Sequence, residues 1–279
     1  MNHRKSAVVG AIVLTVASAA CMSSVGLSDA RPFAFIDVRE LPNGNNTGLA
    51  AYTSAIFVKD RVTGVVPSAA LGEGCVLPAP VVVDNGTDGT SGAANLDPGA
   101  VTMTLKGSAD TTTRVVQLFA GAPSNGLVHY TNSSSPALSA GTDSIRFIVQ
   151  GQAGGFPAFN VNTPSLPRFT ARPVDDSIVG QGIRIQWTGL AATSPTRMQL
   201  VLQYSDGKSA TPNTEVRCIA FDDGDYTIPR QYLEGWQEAG VDSLALQRRV
   251  VFSRFNTVGY NVADGIAAIV TRIDTTIVK

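Results

Sequence analysis

From Phe33 onward the chain is dominated by apolar residues that recur at every second position. Val101, Met103 and Leu105 alternate with Thr102, Thr104 and Lys106, the pattern of a strand with one buried and one wet face. The same reading predicts strands over Phe33–Arg39, Tyr52–Val58, Val115–Phe119, Ile145–Val149, Gly182–Thr188, Met198–Tyr204, Val216–Phe221 and Tyr226–Pro229. Arg248–Phe255 and Gly265–Val278 read as closing strands. In the last of these, Ile266, Ala268 and Val270 interleave with Ala267, Ile269 and Thr271, which predicts burial on both faces. Clusters such as Pro42-Asn43-Gly44-Asn45-Asn46 separate the strands, and 27 Gly and 15 Pro fit a chain of many turns. Arg230–Ala239, with Tyr232, Leu233 and Trp236, is the one segment that reads as a helical turn. The expected class is therefore all-β, an antiparallel sandwich or barrel. Gly151–Pro173, with Gly154-Gly155 and four prolines, is the expected boundary between a β-sandwich domain at 32–165 and a second at 166–279.

The amino terminus follows a different rule. Arg4 and Lys5 precede an apolar run from Ala7 to Ala17, then Ser18-Ala19-Ala20 leads into Cys21. This is the layout of a secretory signal peptide, read as residues 1–20. The run falls short of the roughly 20 residues that span a bilayer. Ser18-Ala19-Ala20-Cys21 resembles a bacterial lipobox, with Ser18 where that pattern prefers Leu. The resemblance implies lipidation of Cys21, a tether over 21–31 and an anchor in the outer membrane or at the cell surface. Cleavage after Ala19 or Ala20 with release of a soluble protein is the alternative.

Charged residues make up 15% of the chain, against about a quarter in an ordinary globular domain. The formal charge is -1, and loss of Arg4 and Lys5 with the signal takes it to -3. No basic field exists for a nucleic-acid backbone, so nucleic acid is not an expected partner. Besides Cys21 the cysteines are Cys75 and Cys218. In an exported chain a disulfide between them is expected, two separate buried thiols being the other reading.

Several motifs in the second half belong together. Gly180-Gln181-Gly182, Ile185-Gln186-Trp187-Thr188-Gly189, Val216-Arg217-Cys218 and Gly224-Asp225-Tyr226-Thr227-Ile228-Pro229 resemble an uncharacterised group of secreted, lipoprotein-like bacterial proteins with Ig-like β-sandwich domains. Leu96-Asp97-Pro98-Gly99 and Gly154-Gly155-Phe156-Pro157-Ala158-Phe159 extend the resemblance to roughly Cys75–Leu233. It implies tandem Ig-like domains and an extracytoplasmic location, and it brings no activity with it.

The chemistry-bearing residues are sparse. After signal cleavage His129 is the sole histidine, and no Gly-x-Ser-x-Gly, HExxH or phosphate-binding glycine loop accompanies it. Asp175-Asp176 and Asp222-Asp223-Gly224-Asp225 sit where turns are expected. Asp84–Gly89 and the Asp222 cluster offer oxygen ligands for calcium, but solvated turns are the better reading. No catalytic residue, metal or cofactor is expected. Trp187 reads as core. Trp236 with Tyr232 is the candidate ligand platform, weighed against packing of the turn, and Arg248, Arg249 and Arg254 read as a solvated strand face. The functional expectation is a non-enzymatic, lipid-anchored cell-envelope protein with a structural or interaction role toward an envelope protein or polysaccharide. The alternative is a carbohydrate-binding module.

Overall fold

The computed structural model describes residues 31–42, 49–59, 72–76, 79–80, 94–107, 113–123, 126–132, 137–138, 142–174, 182–191, 194–205, 211–236 and 248–278. The signal peptide, Cys21, Asp84–Gly89 and Asp175-Asp176 lie outside these.

The first half supplies β1 (Phe33–Pro42), β2 (Leu49–Val58), β3 (Gly74–Cys75), β4 (Ala79–Pro80), β5 (Val101–Gly107), β6 (Arg114–Ala120), β7 (Tyr130–Asn132), β8 (Ala137–Leu138), β9 (Thr142–Val149) and β10 (Phe159–Pro164). The second supplies β11 (Gly182–Gln186), β12 (Arg197–Tyr204), β13 (Thr214–Phe221), β14 (Asp225–Pro229), β15 (Arg249–Val262) and β16 (Gly265–Val278). The chain is thus mostly β, as the alternation predicts. The expected helical segment contributes a 3-10 turn at Arg230–Tyr232. The expected boundary segment contains a strand, β10.

One large sheet runs in the order β10-β9-β5-β6-β7-β2-β1-β16-β15-β12-β13-β3, with β4 also on β13 and β8 also on β2. A small sheet, β11-β14, lies apart. Among the described strands the pairing of β1 with β16 is parallel, Phe33 opposite Ile266 through Glu40 opposite Ile273, and the rest are antiparallel.

The sheet folds over two cores. Ala34, Ile36, Phe57, Met103, Phe147, Phe156 and Ile269 belong to the first, where Phe57 meets Phe156 and Tyr130 edge-on at 5.1 and 5.4 Å. Tyr260 of β15 donates its hydroxyl to the carbonyl of Asn162 in β10, bringing the two limbs of the curled sheet together. Ile183, Ile185, Trp187, Leu200, Leu202, Cys218, Trp236 and Phe252 form the second, between β11-β14 and the β13-β12-β15 limb. The sheet continues across the boundary read between 165 and 166, and β15 and β16 serve both cores.

The third cluster explains the double alternation of β16. Ala267 and Ile269 enter the first core, while Ala268 and Val270 pack on the opposite face with Phe33, Phe35, Ile56, Leu127 and Phe255. A strand sandwiched this way has no solvated face and carries a near-continuous apolar run.

Candidate functional site

Of the second-half motifs, Gly182, Trp187 and Gly189 are packing devices, while Gly180 and Gln181 lie outside the described residues. Trp187 lies in phase with Ile183 and Ile185 on β11 and is buried, its indole N–H donating to Asp222 Oδ1 at 2.9 Å. A side chain at Gly182 would meet the carbonyl oxygen of Ile228 at 2.0 Å, and one at Gly189 the backbone of Asp223 at 2.2 Å. Glycine is required at both because β11 and its continuation press backbone to backbone on β14 and the turn before it.

Asp222 is the hub of this region. Besides Trp187 it accepts from Thr196 Oγ1 at 2.8 Å and from Arg254 Nη2 at 2.9 Å, and Arg254 Nε sits 2.7 Å from its Oδ2. Arg254 is fully buried, which corrects its reading as part of a solvated strand face. It follows Val250 and Phe252 at period two, so β15 turns all three inward. Its guanidinium also donates to the carbonyls of Pro167 and Arg168, at 2.8 and 3.2 Å, and of Thr188, and it lies over the Phe169 ring. Asp222 is thus buried and engaged, which corrects its reading as part of a solvated turn. Asp225, the other end of the turn, pairs with Arg184 across the β11-β14 sheet, and that guanidinium holds its carboxyl below the usual range. Among the described residues no cluster of three or more His, Cys, Asp or Glu could hold a metal.

The platform reading fails for Trp236. The residue is fully buried, its ring edge-on to Tyr204 at 6.3 Å, with the Arg248 guanidinium stacked 5.0 Å from its centre. Tyr232 packs half-buried against the same core. The turn is driven inward because this end of the second core needs a lid, so Trp236 presents no face to a ligand. His129 sits in the loop before β7, where its carbonyl accepts from Gly121 N at 2.7 Å.

Cys75 and Cys218 stand directly opposite on β3 and β13, with their sulfurs 2.01 Å apart as a disulfide. Cys218 is buried in the second core, and the Tyr226 hydroxyl lies 3.6 Å from Cys75 Sγ. Beside the bridge Val76 N donates to the Arg217 carbonyl, and Phe221 N donates to Glu73 Oε1 at 3.0 Å. The bridge therefore pins a short segment along the outer edge of β13.

A charged cluster crosses the parallel pair. Arg272 binds Asp37 through Nε at 2.9 Å and through Nη2, while Arg39 Nε lies 3.5 Å from Asp274. Burial pushes the Asp274 carboxyl up, against the pull of its Ser253 hydrogen bond, Arg272 and Arg39. Both carboxylates are enclosed and committed to guanidiniums, a poor arrangement for acid–base work on a substrate.

Two aromatic residues escape burial on one sheet face. Phe119 on β6 is 51% exposed and Tyr52 on β2 is 49% exposed. The register Phe119–Thr131–Ser54 places them on the same outer face, and Val115 lies two rungs along β6 at 67% exposure. Period-two alternation points these side chains outward, and that was the signal available for them in the sequence.

No family model matches the chain, and no curated protein matches it.

Proposed function

We propose that the chain is an exported bacterial cell-envelope protein, lipid-anchored at Cys21, built of tandem Ig-like β-sandwich halves and serving a structural or interaction role rather than a catalytic one. The observation that carries this reading is the disulfide across β3 and β13. Disulfides persist in oxidising compartments and are rare in the cytosol, so the pair agrees with the signal-like amino terminus. The resemblance of the Trp187–Gly189 and Gly224–Pro229 motifs to secreted lipoprotein-like proteins supports the same assignment. So do the ion pairs Asp37–Arg272, Arg184–Asp225 and Asp222–Arg254, which hold strands and turns together.

The test is the intact mass of the protein recovered from a bacterial envelope fraction, before and after reduction. The expected species starts at Cys21, carries acyl mass, and gains the mass of two hydrogens on reduction. A chain that retains residues 1–20, or free thiols before reduction, overturns the assignment. A start at Ala20 or an unmodified Cys21 removes the anchor but keeps export.

The exposed Phe119 and Tyr52 favour a second reading, a carbohydrate-binding face among Thr131, Ser54 and Gln117. Retardation in a polysaccharide gel that Phe119→Ala abolishes supports it, and unretarded migration of both proteins rejects it.

A further inference from the structure

Between the two cores lies a polar waist. Glu40 of β1, Ile273 of β16, Arg254 of β15 and Met198 of β12 stand side by side in one row of the sheet. Above that row passes the segment from Pro164 to Phe169, whose Leu166 is buried and whose carbonyls at Pro167 and Arg168 are gripped by Arg254. Glu40 is 3% exposed, and its Oε1 has no hydrogen-bond partner among the described residues.

The charges around it are nearly all committed elsewhere. Arg254 answers Asp222. On β1 itself, Asp37 and Arg39 alternate to the opposite face, where they meet Arg272 and Asp274 of β16. The neighbours in register on β16 and β2 are Ile273 and Ala51. Among the described residues, the cation that acts on Glu40 is Arg168, exposed on the crossing segment itself.

We infer that Glu40 is a pH-sensitive latch for the segment 165–169: neutral, it stays seated in the waist; ionised, it favours a lifted segment that admits water and loosens the join between the two cores. A buried carboxylate lacking a partner for one oxygen is costly, and that cost is relieved by protonation or by opening. Burial pushes the Glu40 carboxyl up from 4.5 to about 7, the pull of Arg168 being the weaker effect. The stabilising contribution is therefore complete below 4.5 and is lost as pH rises through about 7. The inference stands on the waist alone and does not depend on how the chain is anchored.

The experiment is hydrogen exchange of the full chain, corrected for intrinsic rates, in a pH series from about 5.5 to about 8.5. If the carboxyl regains its ordinary value on opening, peptides across 163–170 lose about thirtyfold in protection at the higher pH relative to β12. Glu40→Gln, an uncharged isostere, abolishes the difference. Arg168→Gln removes the opposing cation and moves the midpoint to higher pH. The proposal is overturned by protection that does not change with pH in the parent. It is equally overturned by a response that survives Glu40→Gln, or by a midpoint that Arg168→Gln leaves in place.

Discussion

Arg254 shows how much one residue can carry in this protein. Its guanidinium joins β15, the Asp222 turn, the crossing segment and the end of β11. Breaking a buried pair by removing one partner strands the other charge in low dielectric, at a cost of about 3–5 kcal/mol. Arg254→Met should cost that much in urea denaturation, whereas Arg254→Met with Asp222→Leu should recover part of it, a coupling readable as a double-mutant cycle. An equal loss in the single and double variants would show that the network acts through packing alone. Sequence alone misreads Arg254 as solvated, although it keeps phase with the buried Val250 and Phe252. What hid it was its partner, an aspartate in a turn that alternation does not describe. Trp236 was obscured for a related reason: it follows Gly235 at the start of a helical segment with too few periodic positions before it to say which side faces in. The Tyr204 hydroxyl would lie 2.7 Å from a side chain on that glycine, so the turn closes on the core there.

Strand positions were the readable part of the elements. β5, β9, β12 and β13 lie where alternation puts them, and β16 is buried on both faces as its double pattern requires. Partner choice was not readable, because alternation fixes which way a side chain points and is silent on which strand lies alongside. The β15–β16 hairpin carries its own exception to backbone preference. Ala263, in its two-residue turn, has φ 41°, a region that costs an L-residue roughly 1–2 kcal/mol and costs glycine nothing comparable. Ala263→Gly should therefore stabilise the protein by about 0.5–1 kcal/mol net of glycine's own entropy. A raised urea midpoint at unchanged slope is the expected record; a lowered one would place the strain elsewhere. Since these two strands serve both cores, the gain should appear in the unfolding of the whole molecule rather than of one half.

At the scale of the molecule, the disulfide closes a loop with a sequence separation of 143. The chain-entropy model assigns such a closure about 5 kcal/mol. Cys75→Ser with Cys218→Ser should lower stability by an amount of that order while strand content by circular dichroism is kept. A loss below about 1 kcal/mol would mean the edge of β13 is held by its hydrogen bonds and not by the bridge. The Gly- and Pro-rich interruption was legible, but both cores draw residues from either side of it. The shared sheet was not, because its decisive contact joins residues near opposite ends of the chain. That contact sets an order of events. A strand that begins at Phe33 finds its parallel neighbour only when Ile266 has been made and delivered. Until then β1 and β2 present apolar rows on both sides, and such long-range pairings are slow to form and prone to mispair. An emerging chain of this design has no finished first half to set aside while the rest follows. Its need for a chaperone should be greatest just before the final strand arrives.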